Sequence, residues 1–348
     1  MKTKLLKFLI IFFSLIVVIA LAGFLIFTNL LSPVVTDKSS ESFTEFTAKI
    51  PRGAGLKLIG ENLYENNIIK SSLAFYIYSR ISKPMVKAGI YKIDNSLSVK
   101  EILAVFESGK QAQIVVSIPE GLTMRRIGEL LEKNDVVSKD DFLQACKSSE
   151  LLKKYNLGKI KNFEGFLFPD TYYFTPSMKA EDVVCFMVDN FFKKISQMKG
   201  FEDVTTERLY HLLRLASIVE REYRVKEEAP LIASVFANRL RRSIGLYSCA
   251  TVEYIITEIE GRPHPDVITY KDLKIESPYN TYIHAGLPPT PISNPGEVAL
   301  SAAATHPRTS YYFFRLVDAQ KGTHYFSTYF DDHTEVGRNL STKKAAGY

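Results

Sequence analysis

The sequence has little cysteine and no tryptophan. Its three cysteines are Cys146, Cys185 and Cys249. Their number is odd, their spacing is wide and no C-x-x-C pair occurs, so neither a disulfide framework nor a zinc knuckle organises the fold. The aromatic bulk of the core must come from the 23 phenylalanines and 19 tyrosines.

The chain also has only a small excess of positive over negative charge. The formal net charge is +6, and Lys2, Lys4 and Lys7 supply half of it before the first apolar run. The field of the remaining chain is too weak to indicate a nucleic-acid partner. We therefore expect no binding of nucleic acid.

Nucleotide-binding and metal-binding motifs are absent. The chain contains neither G-x-x-x-x-G-K-[ST] nor G-x-G-x-x-G, and its six histidines form no H-E-x-x-H. Ser248 and Cys249 lack a local nucleophile signature such as G-x-S-x-G. These absences predict a protein that works without a cofactor and without a metal ion.

The composition is that of an ordinary globular protein. Of the 348 residues, 46% are hydrophobic, 24% are charged and 12% are aromatic. This excludes disorder, collagen-like repeats and coiled coil as descriptions of the whole chain. The length predicts about two domains, each able to bury its own core.

One long apolar run stands near the N-terminus. Residues 8–27 carry no charge, and about twenty apolar residues in a helix cross the hydrocarbon core of a bilayer. We predict a short stub at residues 1–7, a transmembrane anchor at 8–31 and a linker at 32–42. A cleaved signal peptide with a site at Ala20-Leu21-Ala22 is the alternative, although the apolar run continues past that site.

The charges on either side of this run predict its orientation. Lysines precede it, whereas Asp37, Glu41 and Glu45 follow it. By the positive-inside rule, the N-terminus lies in the cytoplasm and the chain after Ser32 lies outside the membrane. We expect a single-pass protein of the plasma (inner) membrane whose larger part is periplasmic or extracytoplasmic.

A strand–turn–helix pattern occurs twice. In each copy, alternating apolar residues end at an Ile-Pro-x-Gly turn and an amphipathic helix follows. The positions that are identical in the two copies are Ile50/Ile118, Pro51/Pro119, Gly53/Gly121, Ile59/Ile127, Gly60/Gly128, Glu61/Glu129, Leu63/Leu131 and Asn66/Asn134. No third copy appears, which favours one unit used twice over a solenoid.

Residues 43–110, which contain the first copy, are predicted to form a small α+β module. The predicted order is strand, helix, helix, strand, followed by a helix that a capping box at Ser98 and Glu101 opens and Gly109 ends. Two roles fit this pattern. The module either holds the rest of the chain away from the membrane or binds a sugar polymer.

A helix predicted from about Thr205 to Tyr223 carries the candidate catalytic residue. Leu209, Leu213 and Ala216 share one face of this helix, and Glu220 is the next residue of that series. Burial of a carboxyl raises its pKa, and a carboxyl that is protonated at neutral pH can serve as a general acid. The alternative is a structural glutamate that faces solvent or pairs with a nearby arginine.

Other segments offer binding residues. Glu222 lies off the apolar face, where an ion pair with a neighbouring arginine is the competing interpretation. The segment Tyr279-Asn280-Thr281-Tyr282 lies in a loop rich in Pro, Asn, Gly and Tyr, and two aromatic strands near 311–317 and 323–329 predict a hairpin. These aromatic residues could stack on sugar rings, or they could simply pack the core.

Seven motifs, taken in order, resemble those of one family. They are EGFLFPDTY (164–172), LASIVERE (215–222), SVFANRL (234–240), SPYNTY (277–282), GLPPTP (286–291), ISNPG (292–296) and HYFS (324–327). Together they resemble the MltG (YceG-like) endolytic murein transglycosylases over nearly the whole chain. An aminodeoxychorismate-lyase label that some of these proteins have carried does not suit an extracytoplasmic domain.

The resemblance implies an activity and a site. It implies cleavage of the β-1,4 bond between N-acetylmuramic acid and N-acetylglucosamine in nascent glycan strands, which leaves 1,6-anhydro ends. The catalytic glutamate of the family's I-V-E motif corresponds to Glu220. Further candidate substrate-binding residues are Glu222, Asn238, Tyr279, Asn280 and Thr281. The alternative from another class is a non-enzymatic glycan-binding or scaffold protein of the envelope.

The resemblance also implies a domain order and partners. It implies a LysM-like module at 43–110 and a mixed α+β catalytic domain at 111–348, with the second strand–turn–helix copy at 111–143. The expected partners are peptidoglycan glycan strands and glycan-polymerising synthases. Cys249-Ala250 stands where many members have Asp-Pro, so no role of that Asp is transferred, although the adjacent Glu253 could compensate for it.

Overall fold

The structure is a computed structural model that describes residues 2–176 and 178–345. It divides into two compact units, Met1–Gln113 and Ile114–Tyr348. Both combine helices with short pairs of antiparallel strands, so the predicted α+β class is confirmed. The predicted apolar helix at the N-terminus is also present, and its segment Leu9–Leu31 is long and apolar enough to cross a membrane.

The first unit has the predicted order of elements. Its elements are α1 (Lys2–Leu31), β1 (Glu45–Ile50), α2 (Leu56–Glu65), α3 (Ser72–Ser82), β2 (Gly89–Asp94) and α4 (Val99–Ser108). Strands β1 and β2 pair antiparallel, from Glu45 opposite Asp94 to Ile50 opposite Gly89. The capping box of Ser98 and Glu101 opens α4, and Gly109 ends it with a φ of 70°.

The end of α1 is bonded to the rest of the first unit. The Lys70 ammonium donates to the hydroxyl of Ser32 at 2.8 Å and to the carbonyl of Asn29 at 3.4 Å. The backbone N–H groups of Val34 and Val35 donate to the carbonyl of Asn95 at 3.0 and 3.2 Å. The first residues after α1 are therefore held against the module that follows.

The second unit contains four strands and nine helices within the part of the chain that the structure describes. The strands are β3 (Ile114–Ser117), β4 (Thr171–Phe174), β5 (Phe313–Asp318) and β6 (Thr323–Ser327). The helices are α5 (Met124–Lys133), α6 (Lys139–Ala145), α7 (Ser149–Lys154), α8 (Ala180–Ile195), α9 (Thr206–Glu222), α10 (Ala229–Arg241), α11 (Cys249–Tyr254), α12 (Glu297–Thr305) and α13 (Phe330–Ala345). A π-helical segment, Ile255–Ile259, follows α11.

Two antiparallel pairs, β3–β4 and β5–β6, form from these strands. The predicted aromatic hairpin is the second pair, with a register shift between Leu316 and Asp318. Sequence patterns do not predict the pairing of β4 with β3, because Thr171–Phe174 lies far from β3 along the chain.

Helix α9 is the centre of the second unit. It packs against α10, α11 and α12, and its buried residues include Leu209, Leu213 and Ala216. The Thr205 hydroxyl accepts from the N–H of Arg208 at 3.2 Å and caps the start of α9. The apolar face that the sequence predicted therefore lies in the core, and it fixes the direction in which the last turn of α9 points.

The internal repeat is present in both units. Gly53 and Gly121 end the paired strands with φ angles of 76° and 79°, a region that only glycine occupies without strain. Helices α2 and α5 end at Asn66 and Asn134, whose side-chain amides donate to the carbonyl four residues earlier at 2.8 Å.

The repeat is longer than the sequence pattern indicated. Gly60 lies against Phe75 of α3, and Gly128 lies against Phe142 of α6. Each copy is therefore strand, turn, helix and second helix, because the missing side chain lets the second helix pack closely on the first.

Candidate active site

Glu220 lies in the last turn of α9 with its carboxyl half-buried. Its Oε2 accepts a hydrogen bond from the backbone N–H of Gly296 at 2.8 Å. Its Oε1 accepts a longer bond from the hydroxyl of Tyr223 at 3.4 Å. The carboxyl is thus held on two sides, by a backbone donor and by a phenol.

The loop that supplies Gly296 is fastened to α9 one turn earlier. The Ser217 hydroxyl accepts from the N–H of Ile292 at 3.0 Å, and the Ser293 hydroxyl donates to the Ser217 carbonyl at 3.0 Å. Ser217 is fully buried, so these bonds are shielded from water. They place the N–H of Gly296 opposite Glu220, which explains why a serine stands on the buried side of α9.

Asn294 of the same loop joins three distant segments. Its Oδ1 accepts from the N–H groups of Gly165 and Leu167, both at 2.9 Å. Its amide donates to the carbonyl of Leu122 at 3.0 Å and to Oε1 of Glu164 at 2.9 Å. The motifs 164–172 and 292–296 therefore meet at one buried side chain.

Hydrogen bonds also connect the turn of the second repeat copy to the candidate active site. The N–H of Gly121 donates to the carbonyl of Asn294 at 2.9 Å. The buried carboxyl of Glu164 accepts from the N–H of Met124 at 2.9 and 3.1 Å and so caps the start of α5. Gly121 lies close to the catalytic candidate, because a Cβ placed on it would lie 3.5 Å from Cγ of Glu220.

A second carboxylate, that of Glu120, stands beside Glu220. A Cβ placed on Gly296 would overlap the carboxyl of Glu120, so this carboxyl lies directly against the glycine that binds Glu220. Glu120 itself is exposed to solvent. Sequence patterns do not predict this neighbour, because Glu120 lies one hundred residues before Glu220 along the chain.

The surroundings of Glu220 set its protonation. The pKa of Glu220 is raised to about 7, mainly by burial of the carboxyl. The bond from Gly296 opposes this rise, the nearby Glu120 adds to it and the bond from Tyr223 opposes it. Both forms of this carboxyl are therefore populated at neutral pH. Burial also raises the pKa of Glu164 to about 8, against the hydrogen bonds from Met124 and Asn294.

Glu222 is enclosed as well, on a different side of α9. Its Oε1 accepts a short hydrogen bond from the hydroxyl of Ser248. Burial raises the pKa of Glu222, and this shift is opposed first by the bond from Ser248 and then by Arg221 and Arg239. The carboxyl is therefore partly buried and bonded to Ser248, with two arginines near enough to favour its charged form.

The arginine next to Glu220 binds another carboxylate. Arg221 pairs with Glu253 of α11, and His264 lies 2.8 Å from the same carboxylate. Cys249, which stands where many family members have an aspartate, is exposed, and its Sγ lies 3.1 Å from the hydroxyl of Tyr282. Glu253 is thus part of an ion-pair group, and a compensating role for it stays a prediction.

The remaining candidate residues form hydrogen bonds within the protein. The amide of Asn238 donates to the carbonyls of Thr309 and Tyr311 at 3.0 and 2.7 Å. Asn280, which is fully buried, donates to the carbonyls of Leu273 and Ile275 at 3.0 and 2.9 Å.

Two further candidates close the same loop. The Thr281 hydroxyl accepts from the N–H of Ser248 at 3.1 Å and lies 2.9 Å from that of Thr251. The Tyr279 hydroxyl lies 2.9 Å from the Thr290 hydroxyl. Contact of any of these residues with a glycan stays a prediction, since their polar groups already have partners inside the protein.

The structure offers no evident metal centre in the residues that it describes. Across 2–176 and 178–345, no group of three or more His, Cys, Asp or Glu side chains is placed to hold an ion. The chemistry that the site can perform with its own groups is proton transfer by Glu220.

Comparison with known proteins assigns the family. Residues 48–339 match the YceG-like family. An endolytic murein transglycosylase of Bacillus subtilis is 31% identical over 312 residues, which are 84% of this chain and 83% of that protein. One from Streptococcus pneumoniae is 26% identical over 338 residues, 88% of this chain but only 60% of that protein.

A solved structure agrees with this assignment. The crystal structure of a yceG-like protein from Listeria monocytogenes is 30% identical, and it aligns with 85% of this chain and 100% of its own at a TM-score of 0.57. The match covers far more than half of the sequence and includes every element around Glu220. The chain belongs to the YceG-like family.

Proposed function

We propose that this chain is a membrane-anchored lytic transglycosylase of peptidoglycan. It cleaves the β-1,4 bond between N-acetylmuramic acid and N-acetylglucosamine inside nascent glycan strands and leaves 1,6-anhydro ends. Two relatives that match over most of this chain are named endolytic murein transglycosylase, which supports this substrate and reaction. The observation that carries the mechanism is the half-buried carboxyl of Glu220, whose pKa is about 7.

The proposed reaction needs one group that donates a proton and then accepts one. Protonated Glu220 gives its proton to the glycosidic oxygen, and the bond from that oxygen to C1 of the muramic acid breaks. The resulting carboxylate takes the proton of the C6 hydroxyl, whose oxygen attacks C1 and closes the anhydro ring. A pKa near 7 suits both steps, because neither form is strongly disfavoured at neutral pH.

Each partner of Glu220 has a part in this scheme. The N–H of Gly296 and the hydroxyl of Tyr223 donate to the carboxylate and stabilise it after it has lost its proton. Glu120 acts in the opposite direction, since a second negative charge nearby favours the protonated form before the reaction. The surroundings of Glu220 therefore favour neither the protonated nor the ionised form of its carboxyl strongly.

A hydrolase is the nearest alternative reaction. Hydrolysis needs a second carboxylate that activates water or attacks the sugar. Glu120 is the carboxylate beside Glu220 that could do this, whereas Glu222 is bonded to Ser248 and Glu253 to Arg221. Hydrolysis would add one water to each cleaved bond and give reducing ends in place of anhydro ends.

The test is digestion of purified peptidoglycan by the full-length protein and by Glu220→Gln, with mass spectrometry of the products. We expect anhydro-ended products from the parent and a loss of at least about 10²–10⁴-fold in the variant, the contribution of general acid–base catalysis. The matched control is Glu207→Gln, an exposed glutamate in the first turn of the same helix, which should keep full activity.

Thermal melts separate loss of chemistry from loss of fold. Glu220→Gln should melt at the parent temperature or above, because a partly buried carboxyl is held at the expense of stability. A folded Glu220→Gln protein that cleaves at the parent rate would contradict the mechanism. Reducing ends from the parent would identify a hydrolase, and no cleavage by the parent would indicate a binding or scaffold protein.

The first unit has a proposed role as well. We propose that it is LysM-like and contacts the same glycan, since the resemblance implies such a module before the catalytic domain. The orientation of the anchor and a partnership with glycan-polymerising synthases are proposed on the same basis.

A further inference from the structure

A cavity of about 280 Å³ lies in the second unit between β4 and α8. Helix α8 supplies Phe186, Asp189, Asn190 and Lys193, whose spacing of three and four places them on one helical face. The opposite wall comes from residues 170–173, the last part of the motif EGFLFPDTY. The family motif therefore contributes to a cavity that the mechanism above does not use.

Two aromatic rings of this cavity are exposed. Strand β4 alternates, so that Tyr172 and Phe174 are buried while the side chain of Tyr173 is 54% exposed. Phe186 is 42% exposed and packs edge-on against Tyr172, with ring centroids 5.6 Å apart. Core packing does not require either exposed face, and exposed aromatic faces are suited to the apolar face of a sugar ring.

The polar groups of the cavity are held in place by the protein. The amide of Asn190 donates to Asp170 at 3.0 Å and to the hydroxyl of Tyr172 at 3.1 Å. The carboxylate of Asp189 accepts from the hydroxyl of Tyr155 at 2.7 Å. Groups oriented in this way bind the hydroxyls of a ligand with little loss of side-chain entropy.

One wall of the cavity is hydrogen-bonded to the segment that leads to the candidate active site. The carbonyl of Asp170 accepts from the N–H of Ile118 at 2.9 Å. Three residues further along the chain, at most about 10 Å away, is Gly121, which lies against Glu220. The exposed residues Ser117, Pro119 and Glu120 lie between the two. A polymer that occupies the active site can therefore extend along this turn into the cavity.

We propose that the cavity between β4 and α8 is a distal subsite that binds one N-acetylated sugar ring of the glycan strand that Glu220 cleaves. The ring stacks on Tyr173 and Phe186, and its hydroxyl and acetamido groups bind the polar side chains of α8. This inference rests on the proposed function, because the ligand is a further unit of the same polymer. It predicts a preference for strands long enough to reach both places.

Binding can be tested without turnover, since the chain has no tryptophan. Tyr173→Trp in the full-length Glu220→Gln protein places the only tryptophan of that variant in the cavity. We expect its emission to change and saturate on titration with long, peptide-free glycan strands, and to stay constant with a single disaccharide. An emission change that requires the stem peptide would overturn the proposal, and so would no change with any strand.

Measurements of the cleavage rate provide a second, independent test of the subsite. Tyr173→Ala and Phe186→Ala should each lower kcat/KM on long strands about two- to tenfold, the range of one aromatic contact. We expect KM to rise while kcat stays at the parent value. The matched control is Tyr270→Ala, an aromatic residue that is 87% exposed outside the cavity.

The outcomes separate this inference from the proposed function. If the parent cleaves and both cavity variants match its KM on long strands, the subsite is wrong and the function stands. If the parent does not cleave, the proposed function fails, and the fluorescence titration still decides whether the cavity binds glycan.

Discussion

At the scale of single residues, two glutamates two positions apart in α9 have different surroundings. Glu220 is bonded to a backbone N–H and a phenol beside a solvent-exposed carboxylate. Glu222 is bonded to a serine hydroxyl and lies in the field of two arginines. Burial raises the pKa of both, and we propose that Glu220 is the one that reaches the scissile bond. The direction of the side chain, and not the residue type, separates a reactive glutamate from a structural one.

Activity should depend on pH through Glu220. Its pKa of about 7 lies above the ordinary value of 4.5, so the acid form is complete at low pH and is lost as the pH rises through about 7. The rate of glycan cleavage should therefore fall above that pH. In Glu120→Gln the removal of a like charge should lower this pKa and move the fall in rate to lower pH.

The measurement is a pH profile of kcat on soluble glycan strands for the parent and Glu120→Gln, with Glu132→Gln, an exposed glutamate of α5, as control. If the profile of Glu120→Gln coincides with that of the parent, Glu120 does not influence the acid. If Glu120→Gln is inactive at every pH, Glu120 takes part in the chemistry itself.

Helical spacing places Glu220 in line with the apolar face of α9, since Ala216 lies about one turn and Leu213 about two turns before it. Its partly buried position is confirmed, whereas its catalytic role comes from the family resemblance and stays a prediction. Glu120 and Asn294 could not be found in this way, because their contacts join segments far apart in the chain. A signal did exist for the turn, since Gly121 is identical with Gly53 and both require a positive φ.

At the scale of elements, the site is an assembly of loops around the end of one helix. The segments that contain Gly121, Glu164 and Asn294 carry few hydrogen bonds of regular structure, and one another's backbone groups satisfy them instead. Functional residues are often carried on loops, and here buried hydrogen bonds determine where those loops lie. The position of the donor to Glu220 therefore depends on a few buried bonds.

Replacement of Asn294 should test this dependence. Asn294→Ala leaves the N–H groups of Gly165 and Leu167 without their acceptor, and each unpaired buried group costs about 1–3 kcal/mol. We expect a fall of at least about 2 kcal/mol in the free energy of unfolding, with cleavage reduced even in the folded fraction. Denaturant unfolding followed by circular dichroism measures the first, and product release measures the second.

The control for this prediction is Asn66→Ala, which removes an exposed amide that bonds to the carbonyl of Asn62. It should change stability by less than about 0.5 kcal/mol. An Asn294→Ala protein as stable as Asn66→Ala would show that the three segments keep their places without the shared side chain.

Sequence patterns predicted most elements where the information is local. The helices α4 and α9 and the hairpin β5–β6 begin and end within about two residues of the predicted positions, which is the usual uncertainty of element ends. Strand β4 was missed because its partner is distant in the chain. The second helix of the first repeat copy, α3, was predicted, whereas its counterpart α6 in the second copy was not, because the close packing at Gly128 joins two separate elements. Patterns within one element are visible in a sequence, whereas pairings between elements are not.

At the scale of the whole molecule, the apolar helix α1 defines where the chain works. Its segment Leu9–Leu31 is long enough to span a bilayer, and the charges on either side predict which end lies inside. A reporter enzyme fused to the C-terminus should be active only if it requires export. The same reporter fused after Lys7 should show the opposite behaviour and serves as the control.

Two results would change this topology. Activity of a cytoplasmic reporter at the C-terminus would show that the orientation is the reverse of the predicted one. A mature N-terminus near Gly23, found by terminal sequencing of the membrane-free protein, would show that the apolar run is a signal peptide. Retention of the whole chain in the membrane fraction is the expected result.

The bonds from Lys70 and Asn95 to the residues just after α1 hold the first unit at the end of the apolar helix. A long flexible tether would let this unit sample a deep volume above the bilayer, whereas a bonded junction confines it to a thin layer. Under the proposed function, the first unit meets glycan in that layer at a rate set by the number of strands per unit area of membrane, not by their bulk concentration. The proposed preference for nascent strands then follows from the location of this unit and needs no recognition of their age.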